Sequence, residues 1–164
     1  VVMVDAYQDI TIPFQMSSVE FFTMVKEHLN ENGVMVVNMN MRGNNEGNIN
    51  QYLSDTIASV FDHIVTVDVD GSTNRELYAS SNADMVKTLE NNANETGHSD
   101  LRDMMLHVAD TSSVYEAGDY IMTDDKAPVE LLGMQVIDQL IQGEVAYYKD
   151  IFEKDGINGL LESL

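Results

Sequence analysis

Val1-Val2-Met3-Val4 is a continuous apolar run closed by Asp5 and followed by Ala6-Tyr7-Gln8-Asp9. An unbroken apolar run reads as a strand buried on both faces, and such strands occur mainly in parallel sheets. In open α/β sheets ligands bind at the carboxyl ends of the strands, which puts Asp5 where chemistry is expected. A strand buried on both faces makes a poor sheet edge, because its unpaired backbone groups invite aggregation. The run starts at the first residue, so the chain is expected to be the second half of a larger domain.

The next segments extend this into a βαβ unit. Ser17 and Glu20 have capping-box spacing and predict a helix to about Glu31, with Phe21, Phe22, Val25 and Leu29 inward and Gly33 as its stop. Val34-Met35-Val36-Val37 is a second apolar strand. Asn44, Asn45 or Asn48 can cap a second helix through Ile49, Leu53, Ile57 and Val60. His63 to Val69 predicts a strand, Asp70-Gly71-Ser72-Thr73 a turn, and Glu76 to Ala79 the returning strand, so the sheet is expected to end in an antiparallel pair. Residues 1–81 thus read as half of a Rossmann-like α/β domain, and 82–164 as a mostly helical extension of the same domain. In that extension Met85, Val86 and Leu89 mark a short helix, Asn91 to Ser99 a loop, and Leu101 to Val108 another helix. Asp110 to Tyr120 reads as irregular, Pro128 to Gln142 as a strong helix, and Tyr147–Phe152 and Leu160–Leu164 as two further short ones.

Composition narrows the function. The formal net charge is −20, from 28 acidic and 8 basic side chains. Such a surface repels phosphate backbones, so nucleic acid is not expected as a partner, whereas polycations such as polyamines are a natural counterpart. Acidity that serves only solubility is the plainer alternative. The absence of cysteine removes disulfides, zinc–thiolate sites and thiol nucleophiles. That absence fits a reducing compartment, and a cytoplasmic location is expected; no signal peptide or apolar run of spanning length is visible within these residues.

Two acidic motifs carry candidate chemistry. Asp5 and Asp9 flank a strand-end turn, where a carboxylate can accept a proton from an amine or anchor a cation, or merely satisfy loop amides. Thr123-Asp124-Asp125-Lys126-Ala127-Pro128 sets two carboxylates side by side, either to meet a cation or to cap the helix that starts near Pro128. Asp68-Val69-Asp70-Gly71 resembles part of a calcium loop but fails at its first and twelfth positions. The four histidines share no metal-ligand spacing, and no metal is expected.

The segments Val1–Asp9, Ile12-Pro13-Phe14, Glu20-Phe21-Phe22 and Gly33–Asn38 together resemble the spermidine synthase-like family, which has the class I methyltransferase-type Rossmann fold. Gly71-Ser72-Thr73-Asn74-Arg75-Glu76-Leu77 and Thr123-Asp124-Asp125…Ala127-Pro128-Val129-Glu130 are similar to its divergent bacterial members. The resemblance implies an aminopropyl transfer from decarboxylated S-adenosylmethionine to an amine. It makes Asp5 the catalytic carboxylate, Asp5 and Ala6 the residues bordering the co-substrate, and Tyr7, Gln8, Asp9, Asp124 and Asp125 those facing the amine. Where the established synthases carry a second Asp three residues after the first, this chain has Gln8, with Asp9 one further on. In the family the glycine-rich co-substrate motif belongs to the first half, which this chain does not contain. Methyl transfer from S-adenosylmethionine, a non-catalytic acidic binding domain, and a homodimer all stay open at this stage.

Overall fold

A computed structural model describes residues 1–5, 12–40 and 46–162. Alternation of apolar positions builds the first strands. In β1 (Val2–Val4) and β2 (Val34–Met39), Val4, Met35, Val37 and Met39 are buried. They lie under α1 (Val19–His28) and α2 (Ile49–Ala58), which contribute Phe22, Val25, Leu53 and Ile57 to the same core. β1 and β2 run parallel, with Val4 opposite Val37, as a βαβ crossover requires. β3 (His63–Asp68) and β4 (Arg75–Ser80) form the expected hairpin.

The sheet order is β1-β2-β4-β3-β5. The returning strand β4 therefore does not sit outside its hairpin partner but inserts between β2 and β3, antiparallel to both. Leu77 and Ala79, both fully buried, fill the middle of the core from this position. The second face is covered by α3 (Met85–Glu95) packed on α4 (Ser99–Thr111), and β5 (Ser113–Val114) adds a short antiparallel edge.

Within this chain β1 is the edge of the described sheet, with Met3 70% exposed and Val1 91% exposed, the open edge expected of a strand whose neighbour belongs to a larger domain. Helices among the described residues cover only its Val4 side. Several expectations are corrected. Ser18, not Ser17, caps α1 by accepting from the Phe21 N–H, while the Ser17 hydroxyl donates to the Phe14 carbonyl. α1 ends at His28 rather than near Glu31, because Leu29 turns to an extended conformation and packs against the core. Asn48 caps α2; Asn44 and Asn45 lie outside the described residues. The stretch 91–95 continues α3, since Ala93 is buried against the body and keeps the helical face in register. Part of Asp110–Tyr120 closes α4 and forms β5. The helices expected at Pro128–Gln142 and Tyr147–Phe152 are continuous, and α5 (Val129–Glu162) is two helices joined across a kink at Gly156, whose φ is 66°. Ser163 and Leu164 lie outside the described residues. No helix among the described residues is long and apolar enough to cross a membrane.

Candidate functional site

The carboxyl ends of β1 and β2 and the start of β4 meet at one rim of the sheet. Asp5, immediately after β1, is exposed and accepts a hydrogen bond from Asn38 Nδ2 at 3.2 Å. Asn38 Oδ1 in turn accepts from Asn74 Nδ2 at 3.1 Å, which fixes the amide orientation. Glu76 is the cross-strand partner of Asn38. Burial, and after it the charge of Asp5, pushes the Glu76 carboxyl above its ordinary value. Tyr78 follows two residues on, and burial together with the Glu76 charge raises its phenol. The rim thus carries two carboxylates that flank an oriented amide.

Below this rim the same face turns apolar. A cavity of about 340 Å³ lies between Val36, Tyr78 and Val65 of the sheet and Val86, Leu89 and Val108 of α3 and α4. On the far side of the hairpin, Arg75 Nε donates to Asp68 Oδ1 at 2.6 Å, beside a smaller polar hollow that also includes Thr66 and Ser113.

A second acidic group closes over the start of α1. Asp124 Oδ1 accepts from the Ser18 hydroxyl, and the Asp124 N–H donates to Glu20 Oε2 at 3.0 Å. The Met122 carbonyl accepts from the Val19 N–H, one of the donors a helix N-terminus leaves open. Asp125 is exposed in the adjoining turn, where Thr123 and Lys126 exchange backbone hydrogen bonds. In a βαβ unit the helix starts at the carboxyl end of the preceding strand, so Asp124 shares the rim's side of the sheet with Asp5. Its carboxylate is engaged by Ser18 at the start of α1, not at the helix beginning near Pro128 that the capping alternative named.

Segment 115–122 is held in place by α2. The buried carboxylate of Asp55 accepts from the Tyr115 hydroxyl at 2.6 Å, the Gly118 N–H at 3.0 Å and the Tyr120 N–H at 3.1 Å. The next residue, Thr56, accepts from the Met122 N–H at 3.0 Å. Burial and the bond to Asp55 hold the Tyr115 phenol well above its ordinary range.

Of the residues expected from sequence, the structure brings Asp5 to the Asn38–Glu76 rim and seats Asp124 on Ser18. It makes no statement about Ala6, Tyr7, Gln8 and Asp9, which lie outside the described residues. Asn38, Asn74 and Glu76 were missed. The strand-end reasoning applied to Asp5 applies equally to Asn38, the polar residue on the outer face near the end of an apolar strand.

A half-sheet of parallel strands with a reversed strand set between the last two, covered by helices on both faces, defines the class of the fold: a Rossmann-like α/β sheet of the methyltransferase type. The chain is 51% identical over 181 aligned positions to the probable polyamine aminopropyl transferase of Bifidobacterium longum. That alignment covers all of this chain and 41% of the relative, so the chain spans less than half its length. The resemblance to the spermidine synthase-like family, read first from the motifs, is borne out by this relationship. No family model matches the chain. Among solved structures, a probable spermidine synthase from Corynebacterium glutamicum aligns at 15% identity with a TM-score of 0.37, over 74% of this chain and 48% of that one.

Proposed function

We propose that the chain is the C-terminal part of an aminopropyltransferase that acts on an amine in polyamine biosynthesis, and that Asp5 is its catalytic carboxylate. The observation that supports this most is the Asp5–Asn38–Glu76 rim at the carboxyl end of the parallel strands. Decarboxylated S-adenosylmethionine, when bound, supplies an electrophilic methylene next to a sulfonium. Asp5 and Ala6 are the residues of this chain that would border it, and its main binding motif belongs to the part of the family fold that precedes this chain.

An amine is protonated near neutral pH and must lose a proton before its lone pair can attack carbon. Asp5 accepts that proton, and Asn38 keeps the carboxylate turned toward the substrate. Glu76 adds negative potential that attracts a cation to the rim. Tyr7, Gln8 and Asp9 would line the amine's path. Asp124 and Asp125 would act at longer range, Asp124 chiefly by holding the start of α1. Residues 82–164 form an extension of the same domain in this reading, and the protein works in the cytoplasm.

The test is incubation of the longer natural protein with a panel of amines and either sulfonium donor, with products read by mass spectrometry. Aminopropylated amine together with methylthioadenosine is expected from the decarboxylated donor. Methylated product from S-adenosylmethionine would establish the methyltransferase alternative instead, and no product from any pair would leave an acidic binding domain.

A further inference from the structure

Asp5, Asn38 and Asn74 form a chain of side-chain hydrogen bonds at the ends of β1, β2 and β4, three neighbours in the sheet. Asn38 is its middle link. A carboxylate only accepts hydrogen bonds, so Asn38 must turn its NH2 group to Asp5, and its carbonyl then points the other way. Asn74 Nδ2 meets that carbonyl at 3.1 Å. Without a donor there the half-buried Asn38 amide could turn over, since water serves either end, and its carbonyl would face the Asp5 carboxylate. Asn74 delivers its donor from a fixed point. Its N–H donates to the Ser72 hydroxyl at 3.1 Å, and its carbonyl accepts from the Val69 N–H at 3.1 Å. Both bonds use the main chain of Asn74, so they survive a change of its side chain. The next residue, Arg75, is tied to Asp68 across the hairpin.

We propose that Asn74, on the turn between β3 and β4, is a positioning residue that acts through Asn38 to keep the Asp5 carboxylate aimed at the amine. The proposal rests on the reading of Asp5 as the catalytic base. The role is one of polarity rather than shape: position 74 has to donate. Asn74 takes no part in proton transfer itself. It decides which end of the Asn38 amide Asp5 meets, a donor that holds the carboxylate or an acceptor that pushes it away. The turn of the hairpin thereby becomes part of the site, although it lies two strands away from Asp5 in the sheet.

Steady-state kinetics of the proposed aminopropyltransferase read the effect in three variants. Asn74→Asp keeps the shape of the side chain but offers only acceptors, so Asn38 must donate to position 74 and turn its carbonyl on Asp5. It should lower kcat about tenfold or more with little change in KM, because the base is misaimed while the amine is still attracted. Asn74→Leu removes the donor without reversing it and should lose less. Thr73→Asp puts the same added charge on the exposed neighbouring residue and should stay within about twofold of the parent. Equal losses in Asn74→Asp and Thr73→Asp would overturn the proposal. So would an unchanged kcat in Asn74→Asp, or a loss that tracks a lowered unfolding midpoint. The side-chain NH2 signals of Asn38, read by NMR in protein labelled with nitrogen-15 at asparagine, separate the proposal from the reading it rests on. They should shift in both Asp5→Asn and Asn74→Asp. If they do so while no amine is consumed, the relay stands and the transferase reading alone falls. If either variant leaves them in place, the relay is wrong whatever the turnover.

Discussion

Replacing Asp55 with Ala should detach a whole segment from the outside of the protein. The carboxylate is fully buried and accepts three hydrogen bonds, from the Tyr115 hydroxyl and the Gly118 and Tyr120 amides. Hydrogen bonds to a charged group contribute about 1.5–3 kcal/mol each, but the three are coupled and cannot be summed. Gly118 is exposed, so its amide can turn to water once released, which offsets part of the loss. The net cost should be about 3 kcal/mol, a large share of a typical domain's stability. Thr56 holds the adjacent Met122 amide and the Met122 carbonyl caps Val19, so the disturbance should travel to the start of α1. Equilibrium urea unfolding measures the cost, and amide hydrogen exchange locates it. The Gly118, Tyr120 and Met122 amides should lose protection while those of β2 and β4 keep it. Gly118→Ala approaches the same contact from the other side, since an added Cβ would lie 2.5 Å from Asp55 Oδ2. A loss below about 1 kcal/mol in both variants, with protection at Gly118 and Tyr120 unchanged, would refute the reasoning.

In the proposed aminopropyltransferase, Asp5→Asn should lower kcat/KM for the best amine by at least about a hundredfold, with donor affinity retained, because the side chain keeps its size but loses its basicity; steady-state kinetics beside donor titration decide it. Glu76→Gln should stabilise the fold at neutral pH. The Glu76 carboxyl is raised by burial and then by Asp5, so its contribution is fully present below the ordinary value of 4.5 and is lost as pH rises through the folded value. The variant's advantage in melting temperature should therefore grow from about pH 4 toward neutrality and vanish at lower pH; a constant offset would contradict this. Ser18→Ala should cost about 1–2 kcal/mol in urea unfolding, since it removes both the cap on Phe21 N and the partner of Asp124.

The elements were legible where one face is buried and the local chain decides. The apolar run of β2, the Asn48 cap and the turn at Gly71 each carry their own signal. The position of β4 was not legible, because nothing between Arg75 and Ser80 distinguishes the outer side of a hairpin from the gap between β2 and β3. Only the requirement that Leu77 and Ala79 be fully buried selects the gap, and that is a property of the assembled sheet. The same holds for the site. Asp5 could be singled out from its strand end, but its contact with Asn38 and the nearness of Glu76 depend on pairing between distant strands. Asp55 left no trace at all: a carboxylate on the face of a helix reads as solvated until segment 115–122 is seen lying over it.

The insertion of β4 between β2 and β3 also bears on the order of assembly. β3 and β4 meet across a short turn, Asp68 opposite Arg75, so their hairpin closes a small loop at little entropic cost. β2 reaches β4 only by closing the much longer loop that contains α2, with Met39 brought to Arg75. β2 and β3 have no hydrogen bonds of their own to exchange, and each can join the other only through β4. The short loop favours closure of the hairpin before β2 docks on it. Substitutions that loosen the Asp68–Arg75 turn should slow folding, while those at the β1–β2 pairing should mainly hasten unfolding.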